Sequence, residues 1–352
     1  MSEQTSFELE VLDVIEETAD ARSIVLDPGE HRDRFVYTPG QFLTVAVPSD
    51  RTGIVARSYS LSSMPQDESP LTITVKRTRD GYASNWICKN LRAGDRLRVL
   101  PPAGIFTPKD LDADLLLFAG GSGITPIMSI VRTVLDRGTG RVVLFYANRD
   151  EDSVIFRAPL AELAAAHPDR LQVVHWLETV QGLPSQHQLK AFAEQYADRE
   201  AFVCGPAPFM DATVAALKEL QFPRARRHQE KFVSLGGNPF VDLSASTVEA
   251  PQSDAPEVGG QPAHLEAELD GQTYVFDDWQ PGTTMLEHLE SKGVKAPFSC
   301  RLGECSACAV RLIEGEVTMR NNDVLDDEDL ADGIRLACQA DAATPSVKVS
   351  YS

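Results

Sequence analysis

A chain of 352 residues with a net charge of −19 has the length for two or three domains and the wrong sign for nucleic acid, which attracts lysine and arginine. Its hydrophobic fraction of 43% and charged fraction of 24% are ordinary for soluble globular proteins, and its apolar runs, such as Leu115 to Ala119, are far too short to span a membrane. The acidic start, Met1-Ser-Glu-Gln-Thr-Ser-Phe-Glu, lacks the apolar core of an export signal, and six cysteines without an evident disulfide framework suit a reducing cytoplasm.

The expected elements fall into three differently patterned regions. Residues 1–110 alternate apolar and polar side chains in short runs, Phe42 to Val47, Leu71 to Val75 and Arg96 to Leu100, punctuated by turns such as Pro39-Gly40; this predicts a small antiparallel β-barrel. Residues 111–240 change register. Near-continuous apolar strands at 115–119, 142–146, 171–174 and 202–203 alternate with helical stretches near 127–135, 158–166, 187–195 and 207–219, the pattern of an α/β parallel sheet covered on both faces. Residues 241–263, rich in Ser, Ala, Pro and Gly without apolar periodicity, read as a flexible linker. The last region, 264–352, opens with a hairpin of 265–269 and 273–276 turning at Asp270-Gly271. A helix near 284–291 follows, giving an α+β domain.

Within the barrel, Arg57-Ser-Tyr59-Ser60 places a cation, an aromatic ring and a hydroxyl on one strand, with Arg57 and Tyr59 sharing a face by the period of two. A flavin requires charge for its phosphates, a ring over its isoalloxazine and a donor near N5. Lys76, Arg77 and the loop Gly81-Tyr-Ala83-Ser84 offer a further phosphate cradle, with Ala83-Ser84 opening a helix. In the parallel-sheet region the strand at 115–119 runs into Gly120-Gly121-Ser-Gly-Ile-Thr125-Pro126. There Thr125 is the expected N-cap and Pro126 the first helical residue, at the place where an open sheet takes a dinucleotide phosphate. A second strand-to-helix turn, Cys204-Gly205-Pro206, should face the same crevice, with Cys204 against the nicotinamide. Taken singly, each feature also has a plainer reading: a tight glycine turn, a buried small thiol, a core tyrosine, a solvated arginine.

The cysteines near the C-terminus are the most specific signal. Cys300, Cys305 and Cys308 have the C-x4-C-x2-C spacing, with Cys338 far downstream, as in a plant-type [2Fe–2S] site. Two bridged irons need four thiolates; a tight loop supplies three, and small residues such as Gly303, Ser306 and Ala307 let its N–H groups point at the sulfurs. Zinc would want closer ligand pairs, and a Rieske centre needs two histidines where none is near. From Leu265 onward, 17 acidic against 7 basic side chains make this region a candidate for docking on a basic partner.

Together these motifs resemble the ferredoxin–NADP reductase superfamily, and their fusion to a C-terminal plant-type ferredoxin resembles single-chain reductases of bacterial oxygenases. Within that group, residues 8–350 look most like the reductase components of actinobacterial 3-ketosteroid 9α-hydroxylases. The stretches Pro39 to Leu43, Val75 to Thr78, Asp80 to Trp86, Tyr146 to Arg149, Ser153 to Phe156 and Ala296 to Cys300 carry that match. The resemblance implies FAD rather than the FMN of some relatives. Arg57 would sit on the diphosphate, Tyr59 against the isoalloxazine, Ser60 near N5, Gly81 to Ser84 on the diphosphate, and Glu230 and Phe232 near the flavin edge. Many relatives have glycine where Ser306 stands. In Asn148-Arg149-Asp150-Glu151-Asp152 Arg149 suits a 2′-phosphate and the acids repel one; the resemblance tips the expectation to NADH. It implies electron flow from NADH through FAD and the cluster to a Rieske-type oxygenase of steroid degradation, docked on the acidic ferredoxin domain, with no membrane or nucleic-acid partner. Hydride transfer needs no acid–base pair, and His175, His187 and His288 read as structural or solvated. The reductase of another oxygenase, such as phenylacetyl-CoA epoxidase, is the alternative; a zinc-bound interaction module on a cofactor-free scaffold is the alternative of another class.

Overall fold

The computed structural model describes residues 6–66, 69–232, 235–240, 261–269 and 271–351. Two compact units divide the chain, one of residues up to Phe232 and the other from Val233 on, the latter taking in the short segments Asp50–Ala56 and Ala103–Ile105.

The N-terminal region begins with β1 (Phe7–Thr18), β2 (Ala21–Asp27), β3 (Phe42–Ser49), β4 (Gly53–Ser60, whose residues from Arg57 on belong to the first unit), β5 (Leu71–Lys76), helix α1 (Tyr82–Asn90) and β6 (Arg96–Val99). Period-two burial makes these strands: Phe7, Leu9 and Val11 of β1 point inward while Glu8 and Glu10 stay outside. The strand order is β4-β3-β6-β1-β2-β5. The two end strands meet through an antiparallel bridge between Leu61 and Ile73 and a 2.8 Å bond from Ser62 N–H to Thr72 O, so the sheet closes into the expected barrel. The Pro39-Gly40 turn requires its glycine: φ is +95°, and an added Cβ would lie 1.9 Å from the Phe106 carbonyl oxygen.

The same unit continues with β7 (Leu115–Gly120), α2 (Ile124–Arg137), β8 (Val142–Asn148), α3 (Arg157–Ala166), β9 (Leu171–Leu177), α4 (Glu178–Gln181), α5 (Gln186–Ala193), β10 (Glu200–Cys204), α6 (Ala207–Glu219) and β11 (Arg227–Glu230). All five strands are parallel, in the order β11-β10-β7-β8-β9. Every residue of β7 is buried. Leu115 and Leu117 pack with α2 on one face, while Leu116 and Phe118 pack with Leu189, Met210 and Leu217 on the other, each such side chain contributing about 1.5–3 kcal/mol. The chain leaves β7 toward β8 and returns to β10 on its other side, so the ends of β7 and β10 flank the switch point where open sheets bind ligands.

The C-terminal unit contains β12 (Ala263–Leu269), β13 (Gln272–Trp279), α7 (Met285–Ser291), β14 (Ala309–Glu314), β15 (Val317–Met319), α8 (Asp327–Ala331), β16 (Ile334–Leu336), β17 (Ala340–Ala342) and β18 (Ser346–Ser350). Its main sheet runs β13-β12-β18-β14-β16, beside a β15-β17 pair. A capping box of Thr284 and Glu287 starts α7, whose Leu286 and Leu289 pack on Trp279, Val310 and Val347. Of the proposed linker, residues 241–260 lie outside the described residues, and Ala263 already belongs to β12. Asp270 of the hairpin turn is also outside them.

Candidate functional site

In the barrel, the expected residues cluster at the closing strand. Arg57 and Tyr59 are half-buried and Ser60 is buried. Burial raises the Tyr59 phenol pKa, with the nearby Arg57 charge opposing. Ser62, just beyond, joins a buried hydroxyl chain with Thr74 (2.8 Å) and Ser23 (2.8 Å). Lys76 ends β5, its Nζ 3.9 Å from Asp20. The loop then enters α1 through Gly81, which offers no side-chain cap, so the first-turn N–H groups are without a side-chain acceptor. The Ser84 hydroxyl is turned to accept from Thr78 N–H at 3.1 Å, and Asn85 donates to the Thr78 and Gly81 carbonyls. The Gly81 N–H is itself used to close the turn on Thr78 O at 3.0 Å, so Ala83 and Ser84 present the backbone donors on a braced turn, the arrangement that suits a diphosphate.

At the switch point the glycines divide into two kinds. An added Cβ on Gly120 would meet Pro206 Cδ at 2.8 Å, one on Gly123 would meet Cys204 O at 2.1 Å, and one on Gly205 would meet Phe209 Cδ1 at 2.9 Å. These three let the β7–α2 turn and the end of β10 pack backbone to backbone. Gly121 differs: its φ is +51° and nothing lies within 4 Å of an added Cβ, so it leaves open space at the head of α2. The turn is a 3₁₀ segment, Gly121–Gly123, and α2 already begins at Ile124 behind Gly123 as N-cap. This corrects the expected capping role of Thr125. Its hydroxyl instead donates to Ser122 O at 3.0 Å, and Pro126, which lacks an N–H, lies in the first turn where none is needed. Pro206 is the N-cap of α6.

Cys204 is fully buried, its thiol pushed well above the ordinary range by burial and then by Glu230. Glu230, its register partner on β11, is also buried, and burial pushes its carboxyl up to about 8. Burial thus favours the protonated form of both groups. At the end of β8, the Asn148 amide is buried with neither its nitrogen nor its oxygen hydrogen-bonded. Such an orphan at a strand's C-terminal end fits a polar ligand. Exposed Arg149 donates to Asp150 at 2.9 Å. Asp150 also caps the following turn through Ser153, and these two bonds hold its carboxyl down at about 2.

In the C-terminal unit Cys300, Cys305, Cys308 and Cys338 are all buried. Leu302 N–H (3.3 Å) and Glu304 N–H (3.4 Å) point at Cys300 Sγ, and Cys300 N–H points at Cys305 Sγ (3.4 Å). Gly303 makes this wrap possible: at φ +79°, an added Cβ would lie 2.7 Å from Asn321 O. Ser306, at φ +52°, holds a left-handed conformation that favours glycine. The sulfurs form two pairs. Cys300 is lowered to about 7 by the Cys305 thiol and the backbone donors, while Cys305 rises; Cys338 is lowered by Cys308, while Cys308 rises. Among the described residues no group of three or more His, Cys, Asp or Glu is arranged around a single metal ion. Four buried thiols at the C-x4-C-x2-C spacing with a distant fourth suit two bridged irons.

Sequence reasoning missed the braces around these sites. Arg301 makes two bonds to Glu290, and its guanidinium stacks 3.9 Å from the Phe298 ring centroid. Arg132 donates to Ser62 O at 2.9 Å and Ser129 to Ser63 O at 2.6 Å, tying α2 to the barrel strand that carries Ser60.

Three family models match the chain: the oxidoreductase FAD-binding domain over residues 8–107, the oxidoreductase NAD-binding domain over 117–215 and the 2Fe-2S iron-sulfur cluster binding domain over 267–343. The chain is 52% identical over 344 residues to the 3-ketosteroid-9-alpha-monooxygenase ferredoxin reductase component of Rhodococcus rhodochrous, covering 97% of this chain and 96% of that one. It is 54% identical over 348 residues to the protein of the same description from Mycolicibacterium smegmatis, covering 98% and 96%. Among solved structures, phthalate dioxygenase reductase shares the fold, with a TM-score of 0.56, 24% identity and 98% of both chains covered. The chain carries FAD-binding, NAD-binding and [2Fe–2S] domains, and no helix among its described residues is long and apolar enough to cross a membrane.

Proposed function

We propose a function on the premise that this chain belongs to the family of 3-ketosteroid-9-alpha-monooxygenase ferredoxin reductase components: it carries electrons from NADH, by way of FAD and a [2Fe–2S] cluster, to a Rieske-type 3-ketosteroid 9α-hydroxylase. The carrying observation is the set of four buried cysteines, with backbone N–H groups pointing at the Cys300 and Cys305 sulfurs. When bound, FAD supplies the exchange between a two-electron hydride and single electrons, and the cluster supplies one-electron transfer.

The protein's part is to bind, orient and exclude water. Arg57, Lys76 and the N–H groups of Ala83 and Ser84 would offset the flavin diphosphate charge, with Gly81 closing the turn that holds them. Tyr59 covers the ring system, and the Ser60 hydroxyl serves its reactive edge. Gly121 leaves the nucleotide diphosphate room above the head of α2, where Thr125 and Pro126 shape the turn. Cys204, Gly205 and Pro206 would form the floor for the nicotinamide, with buried Glu230 beside Cys204. Asp150 engages Arg149, which leaves little positive charge for a 2′-phosphate and favours NADH. The acidic C-terminal domain docks on the oxygenase, in the cytoplasm.

Anaerobic mixing with NADH and NADPH separately tests this reading. NADH should bleach the flavin absorbance first and the cluster absorbance second, with NADPH at least tenfold slower. Equal rates would overturn the cofactor assignment; flavin bleaching without cluster reduction would overturn the electron route.

A further inference from the structure

We propose that Gln339 is a positioning residue for the iron–sulfur cluster: its side-chain amide ties the cysteine loop to the fourth ligand and donates a hydrogen bond to the Cys338 sulfur, raising the cluster's reduction potential. The inference rests on the [2Fe–2S] reading of the four cysteines.

Gln339 is buried, at 8% exposure. Its Nε2 lies 2.8 Å from Arg301 O, 2.9 Å from Cys338 O and 3.6 Å from Cys338 Sγ. The two carbonyls are acceptors only, so the amide must present its NH2 to them, and the opposite flip is excluded. Two hydrogens thus face three acceptors, and the sulfur shares one. Arg301 is held in turn by Glu290 and Phe298 at φ +59°, and an added Cβ on Gly303 would meet Gln339 Cγ at 3.1 Å. The amide is therefore locked between the loop bearing Cys300, Cys305 and Cys308 and the chain bearing Cys338.

A sulfur bound to iron is a thiolate. The bond it accepts is then charge-assisted and takes a larger share of the donor. Reduction adds negative charge to the cluster, so a donor at a ligand sulfur stabilises the reduced state more than the oxidised one. The other donors to these sulfurs are backbone N–H groups, among them those of Leu302 and Glu304 toward Cys300, of Cys300 toward Cys305, of Gly303 toward Cys338 and of Cys338 toward Cys308. Gln339 makes the side-chain contact on the second pair, where a substitution can remove it.

The test uses the full-length holoprotein. In Gln339→Met, which keeps the side chain's length and packing, the potential measured by EPR-monitored titration should move to a more negative value. At a fixed poise the reduced-to-oxidised ratio should fall about fivefold, as expected for losing one modest hydrogen bond. In wild-type protein carrying ¹⁵N in its glutamine side-chain amides, pulsed EPR of the reduced cluster should show a ¹⁵N coupling. An unchanged potential in Gln339→Met with full cluster content would overturn the proposal. Absence of ¹⁵N coupling in the wild type would overturn it too, even if the variant fails to take up its cluster. A wild-type protein with no [2Fe–2S] signal would instead defeat the underlying reading.

Discussion

Replacing Gly123 by alanine tests whether the glycine contacts at the switch point position the reacting groups. The added Cβ would lie 2.1 Å from Cys204 O, 2.4 Å from Cys204 C and 2.6 Å from Gly205 N. All three are backbone atoms, so no rotamer can absorb the overlap. A carbon–oxygen contact is comfortable at about 3.4 Å, so the head of α2 and the end of β10 must part by roughly 1.3 Å. Overpacking of this kind costs about 1–3 kcal/mol, and misplacing reacting groups by 1 Å costs on the order of 100-fold in rate. The control is Gly138→Ala at the other end of α2, where the added Cβ meets Leu111 O at the same 2.1 Å. Both variants should lose comparable thermal stability. In stopped-flow mixing with NADH, Gly123→Ala should reduce its flavin about 30- to 100-fold more slowly, and Gly138→Ala should stay within a factor of about three of wild type. Normal flavin reduction in Gly123→Ala, or equal slowing in both, would refute the reasoning.

Cys305→Ser should abolish one-electron delivery to the oxygenase yet preserve NADH oxidation by an artificial two-electron acceptor; losing both activities together would contradict the sequential route. Glu230 gives a pH signature. Its folded pKa of about 8 lies above the ordinary 4.5, so between those values the folded state keeps a proton that the unfolded chain releases, and stability falls as pH rises by up to about 1.4 kcal/mol per unit. Urea midpoints of Glu230→Gln should therefore decline less from pH 5 to 8 than wild type, and parallel declines would count against a buried neutral carboxyl. Ser306→Gly relieves a left-handed serine, worth up to about 1 kcal/mol, and should slow cluster release to a chelator; faster release would mean the hydroxyl holds the loop.

Much of this architecture was readable where burial imposes a period. The apolar run from Leu115 predicted a strand buried on both faces, and the helical stretch near 207–219 matches α6 (Ala207–Glu219). The cysteine spacing identified its loop because cluster chemistry sets that spacing directly. Short strands β14 to β18, three to six residues each, left little periodicity to read. Barrel closure through Leu61 and Ile73 depends on a pairing between distant residues. The register that sets Cys204 beside Glu230 has no trace in either segment alone. The glycines around the end of β7 were read as room for a phosphate; three-dimensional packing separates Gly121, which has open space at its Cβ position, from Gly120 and Gly123, which hold the turn against β10.

The central claim is electron delivery from NADH to a steroid oxygenase, and NADH-driven product formation with purified 3-ketosteroid 9α-hydroxylase oxygenase tests it most directly. An aromatic-ring Rieske oxygenase serves as the control partner. The account predicts hydroxysteroid formed in step with NADH consumed, with the steroid enzyme alone. Rapid NADH oxidation without product, or equal product from both oxygenases, would contradict it.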